Sequence, residues 1–305
     1  MTQKIAIIGL GSMGFGMAKS ILAAGHHAYG FDVNSEAVGR FVALGGQTGQ
    51  VSEMAPAMDC VMVVVLNATQ TETVLFGDGT NAGAGTAWAQ HLRPGTTIIS
   101  CATVPPDFAR TMAAKAADLG LHYLDAPISG GSIKAEAGRL SVLASGAEVA
   151  FKKAKPALDA VAEHVFALGS EVGAGSAMKS INQILCGVHI AAMAEAMTFG
   201  MTQGVSPAQT LEVISKCAGT SWMFENRGAH VVAGDYKPHS SVDIWLKDLG
   251  IALDIAGKAK FSAPLTAVAL QQFVAASGSG YGLEDDAAVA KIYARNAGLK
   301  LPGEG

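Results

Sequence analysis

Two groups of residues in this sequence have types and spacings suited to chemistry. The first is a glycine-rich turn directly after the predicted strand Lys4–Ile8, and it reads Gly9-Leu10-Gly11-Ser12-Met13-Gly14. Glycines at these spacings allow a tight strand-to-helix turn whose backbone N–H groups can approach a pyrophosphate closely. The second group is Lys179, followed by Asn182 and Gln183 at the spacing of one helical turn. These patterns predict a dinucleotide site and a proton-transfer site.

An acidic residue, Asp32, follows the second predicted strand, Ala28–Phe31. A carboxylate at this position accepts hydrogen bonds from the ribose hydroxyls of adenosine and repels a 2′-phosphate. The next residues are Val33, Asn34 and Ser35, so no neighbouring arginine is present to bind that phosphate. The sequence therefore predicts NAD rather than NADP as the cofactor. Simple capping of the following helix is the alternative role for Asp32.

Lys179 lies near the start of a predicted helix that is otherwise apolar. Desolvation and the positive end of the helix dipole both disfavour the ammonium form, so we expect the pKa of Lys179 to fall toward neutrality. Such a lysine can take the hydroxyl proton of an alcohol while hydride leaves the same carbon for the nicotinamide. We expect the amides of Asn182 and Gln183 to orient the lysine and the substrate hydroxyls. A solvated lysine at a helix end is the alternative.

Two loops that follow predicted strands could complete the site. The side chains in Ser129-Gly130-Gly131 are small enough for successive backbone N–H groups to converge on an anion, which predicts a binding site for a substrate carboxylate. Leu66 and Asn67 lie at the carboxyl end of another apolar strand, where a cofactor crevice forms in parallel sheets. We therefore expect this pair to contact the nicotinamide ribose. An ordinary loop is the alternative in both places.

The elements that must position these residues divide the chain into two parts. The first part alternates apolar runs with helical patterns, which predicts a Rossmann-type α/β domain with a mainly parallel sheet over residues 1–168. The second part, residues 169–305, has no further strand pattern and is predicted to be an all-helical domain for substrate binding and dimerisation. The predicted strands are Lys4–Ile8, Ala28–Phe31, Cys60–Leu66, Thr97–Cys101, His122–Leu124 and Leu140–Ala144.

One long helix, predicted over residues 173–204, joins the two domains. It has no proline and is apolar nearly all round, so we expect it to be buried on every side. A domain of this size can hardly enclose such a helix alone. We therefore expect the helix to pack between the domains and against another subunit, in a homodimer or homotetramer.

Composition excludes several classes of protein. The formal net charge is −4, with 21 basic and 25 acidic residues, which argues against nucleic acid as a partner. The longest unbroken apolar run, Cys60–Leu66, is far shorter than the roughly 18 residues that a membrane span needs. The four cysteines show no CxxC spacing, as expected of reduced thiols in a soluble cytoplasmic protein. The eight histidines form no zinc motif, so we expect no metal.

Four ordered segments resemble the β-hydroxyacid dehydrogenases, and the resemblance extends over nearly the whole chain: Gly9–Ala18, Asp125–Gly131, Gly173–Gln183 and Lys247–Leu249. The resemblance implies NAD-dependent oxidation of a small hydroxyacid, with Lys179 as general acid and base and the Ser129–Gly131 loop at the carboxylate. The family often has Asn where this chain has Gln183.

The same resemblance implies two further cofactor contacts. Thr103 occupies the second position of a family Ser-Thr pair near the nicotinamide, although Ala102 replaces the serine. Capping of the following proline-initiated helix is the alternative for Thr103. Lys247 matches a family lysine that approaches the cofactor. An ion pair with Asp243, four residues earlier, is the alternative for Lys247.

The segment Ser221–Arg227 is similar to a branch of the family that acts on a short hydroxylated sugar acid. We expect Trp222 to shape the substrate pocket, with core packing between two helices as the alternative. We expect Arg227 to be exposed, with a contact to an acidic substrate as the alternative. Within the family, 3-hydroxyisobutyrate and tartronate semialdehyde are alternative substrates. An imine reductase and a dinucleotide sensor without catalytic activity are alternatives from other classes.

Overall fold

The computed structural model describes residues 2–77 and 87–304. The chain forms two compact units, Met1–Lys179 and Ser180–Gly305. The predicted domain limits, 1–168 and 169–305, stay predictions.

Within the described residues, the first unit contains a parallel sheet of five strands in the order β2-β1-β3-β4-β5. Ile5 of β1 pairs with Ala28 of β2 on one side and with Cys60 of β3 on the other. The predicted mainly parallel sheet is therefore confirmed. The strands are β1 (Lys4–Ile8), β2 (His27–Phe31), β3 (Cys60–Val63), β4 (Thr97–Ser100) and β5 (His122–Asp125).

Helices pack on both faces of this sheet. Successive residues of each strand point to opposite sides, so each strand contributes side chains to both faces. In β1, Ile5 and Ile7 join one buried cluster, while Ala6 and Ile8 join another. Strands buried on both faces need apolar residues throughout, as β1 and β3 have. The helices of the first unit are α1 (Gly14–Ala23), α2 (Ser35–Ala43), α3 (Val51–Met54), α4 (Ala68–Phe76), α5 (Trp88–His91), α6 (Pro106–Asp118), α7 (Gly131–Glu136) and α8 (Glu148–Val161).

A smaller sheet follows, in which β6 (Ile128–Ser129) pairs antiparallel and β8 (Ala162–Ala167) pairs parallel with β7 (Leu140–Ala144). The sequence predicts β7 with these bounds but neither of its partners. Strand β6 has two residues, too few for a periodic pattern. Strand β8 is mostly exposed and therefore has no apolar run.

The second unit is helical and is built around a buried cluster that includes Ile190, Met193, Trp245 and Phe273. Ser206 and Gln209 form a reciprocal cap at the start of α10, which explains why the chain re-enters a helix there. The remaining helices are α9 (Ala174–Thr202), α10 (Pro207–Ile214), α11 (Trp222–Ala233), α12 (Val242–Lys258), α13 (Pro264–Ala276) and α14 (Ala290–Asn296).

Helix α9 is the long helix expected from the sequence. Ile190, Met193 and Met197 are fully buried, whereas Ile181, Leu185 and Phe199 on another face are 53%, 52% and 65% exposed in the single chain. Among the described residues, α9 alone is long and apolar enough to cross a membrane, a test that core helices of soluble proteins also pass.

Candidate active site

The glycine turn joins β1 to α1, and two of its glycines are required by packing. A Cβ at Gly14 would lie 1.8 Å from the carbonyl oxygen of Gly9. A Cβ at Gly9, where φ is +99°, would lie 2.4 Å from the carbonyl oxygen of Val64. A Cβ at Gly11 would meet no atom of the described chain within 4 Å. Packing therefore does not require a glycine at position 11, whereas the close approach of a ligand would.

Asp32 binds the glycine turn directly. Its Oδ2 accepts a hydrogen bond of 2.6 Å from the backbone N–H of Leu10, and its Oδ1 accepts one of 2.8 Å from the N–H of Asn34. A cavity of about 380 Å³ opens beside this carboxylate and is also lined by Gly11 and Ser12. The turn and the carboxylate are therefore parts of one site, as the sequence predicts.

Arg40, which the sequence analysis does not single out, lies in the wall of the same cavity. Its guanidinium carbon lies 5.3 Å from the centroid of the Phe15 ring. Arg40 lies eight residues after Asp32 and reaches the cavity from within α2, so the residues directly after Asp32 do not reveal it. The cavity wall therefore carries a cation as well as the carboxylate of Asp32.

The carboxyl ends of β1 and β3 are neighbours, and the strand order changes direction between them. Parallel sheets leave a crevice for ligands at such a point. Leu66 and Asn67 follow β3, and Asn67 Oδ1 caps α4 by accepting a hydrogen bond of 2.8 Å from the N–H of Gln70. Thr103 lies between β4 and α6. Contacts of these three residues with the nicotinamide end of the cofactor stay predictions.

The predicted carboxylate loop lies between β6 and α7. Gly130 and Gly131 have φ values of +133° and +75°, in the region that favours glycine. No atom of the described chain lies within 4 Å of the Cβ position of Gly131. The loop is therefore open on that side, which is compatible with the predicted approach of a substrate.

A buried carboxylate holds the start of α9. Asp125 is 1% exposed, and its Oδ2 accepts hydrogen bonds from the N–H groups of Gly173 (3.0 Å) and Ser176 (2.8 Å), while its Oδ1 accepts one from Ser176 Oγ (2.7 Å). Burial raises the pKa of Asp125, and these hydrogen bonds partly offset that effect. This role of Asp125 is not evident from its motif, since its partners lie 48 and 51 residues later in the chain.

The same contacts locate Lys179. A Cβ at Gly175 would lie 2.4 Å from the carbonyl oxygen of Leu143 and 2.7 Å from that of Asp125, so the first turn of α9 packs directly on two strand ends. Lys179 follows one turn later and is 7% exposed. Its burial agrees with the environment expected for a proton-transferring lysine, and its catalytic role stays a prediction.

In the second unit, Asp248 contacts two predicted site residues, Gln183 and Lys247. Gln183, which is 7% exposed, donates from Nε2 to Asp248 Oδ2, and Lys247 Nζ lies 2.6 Å from Asp248 Oδ1. Asn182 Nδ2 donates to Gln183 Oε1 at 2.9 Å. Lys247 thus pairs with Asp248 rather than with Asp243. Each end of the Gln183 amide thus has a protein partner, and the contacts of Asn182 and Gln183 with a substrate stay predictions.

The expectation that Arg227 is exposed is wrong. Arg227 is 8% exposed and donates from Nε to Asp286 Oδ1. Trp245 Nε1 donates to the other oxygen of this carboxylate at 2.9 Å. Burial raises the pKa of Asp286 to about 6. The acidic partner lies 59 residues later in the chain, so sequence spacing does not reveal it.

Comparison with known proteins identifies the family. The NAD-binding domain of 6-phosphogluconate dehydrogenase matches residues 4–169, and the NAD-binding domain of NADP-dependent 3-hydroxyisobutyrate dehydrogenase matches residues 173–293. An L-threonate dehydrogenase of Cupriavidus necator is 46% identical over 100% of this chain and 99% of its own length. An L-threonate dehydrogenase of Haemophilus influenzae is 42% identical over 99% of this chain and 97% of its own.

A crystal structure of 3-hydroxyisobutyrate dehydrogenase from Salmonella typhimurium is 44% identical, with a TM-score of 0.87 over 95% of this chain and 99% of that one. The chain belongs to the 3-hydroxyisobutyrate dehydrogenase family. The resemblance to the β-hydroxyacid dehydrogenases is thereby confirmed.

As a member of this family, the chain is an NAD-dependent oxidoreductase that acts on a small hydroxyacid. The cofactor end of the site fits NAD, because Gly11 leaves space beside the turn and Asp32 supplies the carboxylate expected at the adenosine ribose. The predictions of enzyme class and cofactor are thus confirmed.

Proposed function

We propose that this dehydrogenase oxidises L-threonate with NAD at the alcohol carbon next to the carboxylate, giving 2-oxo-tetronate. The observation that carries the proposal is the 46% identity to an L-threonate dehydrogenase over the full length of both chains. The geometry agrees with this reaction because a buried lysine stands one turn from amide groups that can bind hydroxyls.

The residues of this chain divide the work of the reaction. The Gly9–Gly14 turn and Asp32 would hold the pyrophosphate and the adenosine ribose, and bound NAD accepts the hydride. Lys179 Nζ accepts the hydroxyl proton of the substrate in oxidation and returns it in reduction. Lys179 is 7% exposed, so its amine is largely shielded from bulk water.

Two segments would orient the substrate. Backbone N–H groups of Ser129, Gly130 and Gly131 bind the carboxylate, so no arginine is needed at that end. Asn182 binds a hydroxyl group. Trp222, which is 56% exposed at the start of α11, is proposed to shape the pocket.

An NAD-reduction assay across L-threonate, D-threonate, erythronate, glycerate and 3-hydroxyisobutyrate tests the substrate. We expect the highest kcat/KM with L-threonate. A higher value with any other acid would overturn the substrate assignment while leaving the reaction class intact.

Replacement of the lysine tests the chemistry. We expect Lys179→Ala to lower kcat by roughly two to four orders of magnitude, the usual contribution of a general acid–base group, with little change in the dissociation constant of NAD. Lys258→Ala, at an exposed position on α12, serves as the matched control. Near-normal turnover of Lys179→Ala would remove this residue from the mechanism.

A second candidate substrate is 3-hydroxyisobutyrate, favoured by the Salmonella structure of that name at 44% identity. In this acid the carbon next to the carboxylate carries a methyl group instead of a hydroxyl, so its alcohol lies one carbon further from the carboxylate. The substrate panel separates the two candidates directly.

We also propose that the chain is a soluble cytoplasmic protein and acts as a homodimer or homotetramer. The partly exposed apolar face of α9 supports self-association, since burying apolar area is the main driving force for obligate interfaces.

A further inference from the structure

The side chains around Asp248 form one chain of interactions. Lys247 Nζ lies 2.6 Å from Asp248 Oδ1, and Gln183 Nε2 donates to Asp248 Oδ2. Asn182 Nδ2 then donates to Gln183 Oε1 at 2.9 Å and also contacts Cys186 Sγ at 3.5 Å. Gln183 therefore has a partner at both ends of its amide, and Asn182 uses its NH₂ group to bind Gln183.

The carboxylate of Asp248 sets the direction of these hydrogen bonds. An ionised carboxylate only accepts hydrogen bonds, so Gln183 must turn its NH₂ group toward Asp248. The carbonyl oxygen of Gln183 then faces Asn182, so Asn182 must donate a hydrogen bond from its own NH₂ group. Asn182 Oδ1 is consequently the end of the pair that remains for a ligand, and a carbonyl oxygen can only accept.

Asn182 is placed where that polarity matters. It is half-buried and stands three residues after Lys179 on α9, a spacing that puts both side chains on one face of the helix. We propose that Asp248 is a positioning residue that sets the polarity of the Asn182–Gln183 pair, so that Asn182 presents an obligate acceptor to a hydroxyl group of the substrate. This inference rests on the proposed dehydrogenase function and names a determinant of its substrate specificity.

The proposal predicts a preference for polyhydroxy acids. A hydroxyl donor satisfies Asn182 Oδ1, whereas a methyl group at the same place would leave that oxygen without a donor when the acid is bound. Sites built to hydrogen-bond a substrate hydroxyl reject analogues that lack it far more strongly than apolar pockets reject an extra group. We therefore expect L-threonate to be favoured over 3-hydroxyisobutyrate because of this oxygen.

We expect Asp248→Asn to reverse the direction of the hydrogen bonds through Gln183 and Asn182. The ammonium of Lys247 beside Oδ1 attracts the oxygen of the new amide, which turns its NH₂ group toward Gln183. Gln183 must then flip, and Asn182 in turn presents its NH₂ group to the substrate. We expect kcat/KM for L-threonate to fall about 10- to 100-fold, the effect of losing one hydrogen bond and leaving a polar group unpaired.

A second substitution should restore the original direction. Gln183→Glu alone places two carboxylates next to each other, so we expect the kcat/KM of this variant to fall as well. In the double variant Asp248→Asn/Gln183→Glu, the carboxylate at position 183 accepts from both neighbouring NH₂ groups, so Asn182 again presents its oxygen. We expect the double variant to return to within about threefold of wild type, a recovery that independent structural damage would not produce.

Direct measurement of NAD binding separates this effect from a change at Lys247. The lysine loses its adjacent carboxylate in both Asp248→Asn and the double variant, so the dissociation constant of NAD, followed by calorimetry, should change equally in the two. The substrate kcat/KM should recover only in the double variant. Asp254→Asn, an exposed carboxylate on the same helix, is the matched control, and melting temperatures establish that each variant is folded.

Asp248→Asn, Gln183→Glu and the double variant are all assayed with the acid of the substrate panel that has the highest kcat/KM. The test of amide polarity therefore does not depend on which acid is the substrate. A folded double variant as impaired as Asp248→Asn would overturn the proposed polarity. Near-normal turnover of Lys179→Ala would instead overturn the proposed mechanism, which keeps the two failures distinguishable.

Discussion

At the scale of single residues, the balance between Asp32 and Arg40 decides how the cofactor site treats a 2′-phosphate. Asp32 is a negative charge held on the glycine turn by two backbone N–H groups. Arg40 is a positive charge in the wall of the same cavity. A carboxylate near a phosphate costs free energy, whereas a guanidinium near it is favourable. We therefore expect selectivity for NAD to depend mainly on the carboxylate of Asp32.

We expect Asp32→Asn to raise the ratio of kcat/KM for NADP to that for NAD by about tenfold or more, because it removes the like charge and leaves Arg40 in place. The double variant Asp32→Asn/Arg40→Ala should lose most of that gain. Steady-state kinetics with both cofactors measure the ratio. An unchanged ratio in Asp32→Asn would show that this carboxylate does not face the ribose.

At the scale of elements, the start of α9 is anchored by a residue from another part of the chain. Helix N-termini need acceptors for N–H groups that have no partner within the helix. Asp125, at the end of β5, supplies them for Gly173 and Ser176, and Ser145 Oγ accepts from the N–H of Gly175 at 3.0 Å. The first turn of α9 thus packs on the carboxyl end of β5.

We expect Asp125→Ala to lower the free energy of unfolding by about 1–3 kcal/mol and to lower kcat, since the first turn of α9 loses its cap. Asp125→Asn is the matched control. Its single oxygen can still accept from both N–H groups, and Ser176 Oγ can turn to accept from the new NH₂ group. Chemical denaturation and kcat measured together test this, and equal losses in the two variants would contradict it.

The same carboxyl group should contribute a pH dependence. Because the folded-state pKa of Asp125 is raised, the folded protein holds this proton more tightly than the unfolded chain does. Its contribution to stability is therefore full below the unfolded pKa and is lost as pH rises through the folded pKa. The stability of wild type relative to Asp125→Asn should decrease over that interval, as denaturation at several pH values would show.

At the scale of the whole molecule, the exposed apolar face of α9 bears on assembly. We expect the protein to sediment as a dimer or tetramer and Leu185→Glu to weaken that assembly, because a buried unpaired charge at an interface is costly. Val213→Glu, at an equally exposed apolar position on α10, should leave the sedimented mass unchanged. A monomeric wild-type protein in analytical ultracentrifugation would contradict the proposed assembly.

Much of this fold follows from short-range patterns. The strand, glycine turn and helix at Lys4–Ala23, the strand β7 and the long helix α9 are all predicted from neighbours within one turn or one strand. Strand β8 is not predicted, because an exposed strand carries no apolar run. Residue type and spacing assign the chemistry to Lys179 and the glycine turn, and the comparison with the family confirms the enzyme class and the cofactor.

Local order thus decided where strands, turns and helices form, because hydrophobic periodicity and backbone preference act over a few residues. Only the folded chain decided which charges meet. Asp125 reaches Ser176 across 51 residues, Gln183 reaches Asp248 across 65, and Arg227 reaches Asp286 across 59. Such pairs form because burial forces each polar group to find a partner, and the packing of distant elements, not their spacing in sequence, determines which partner is near.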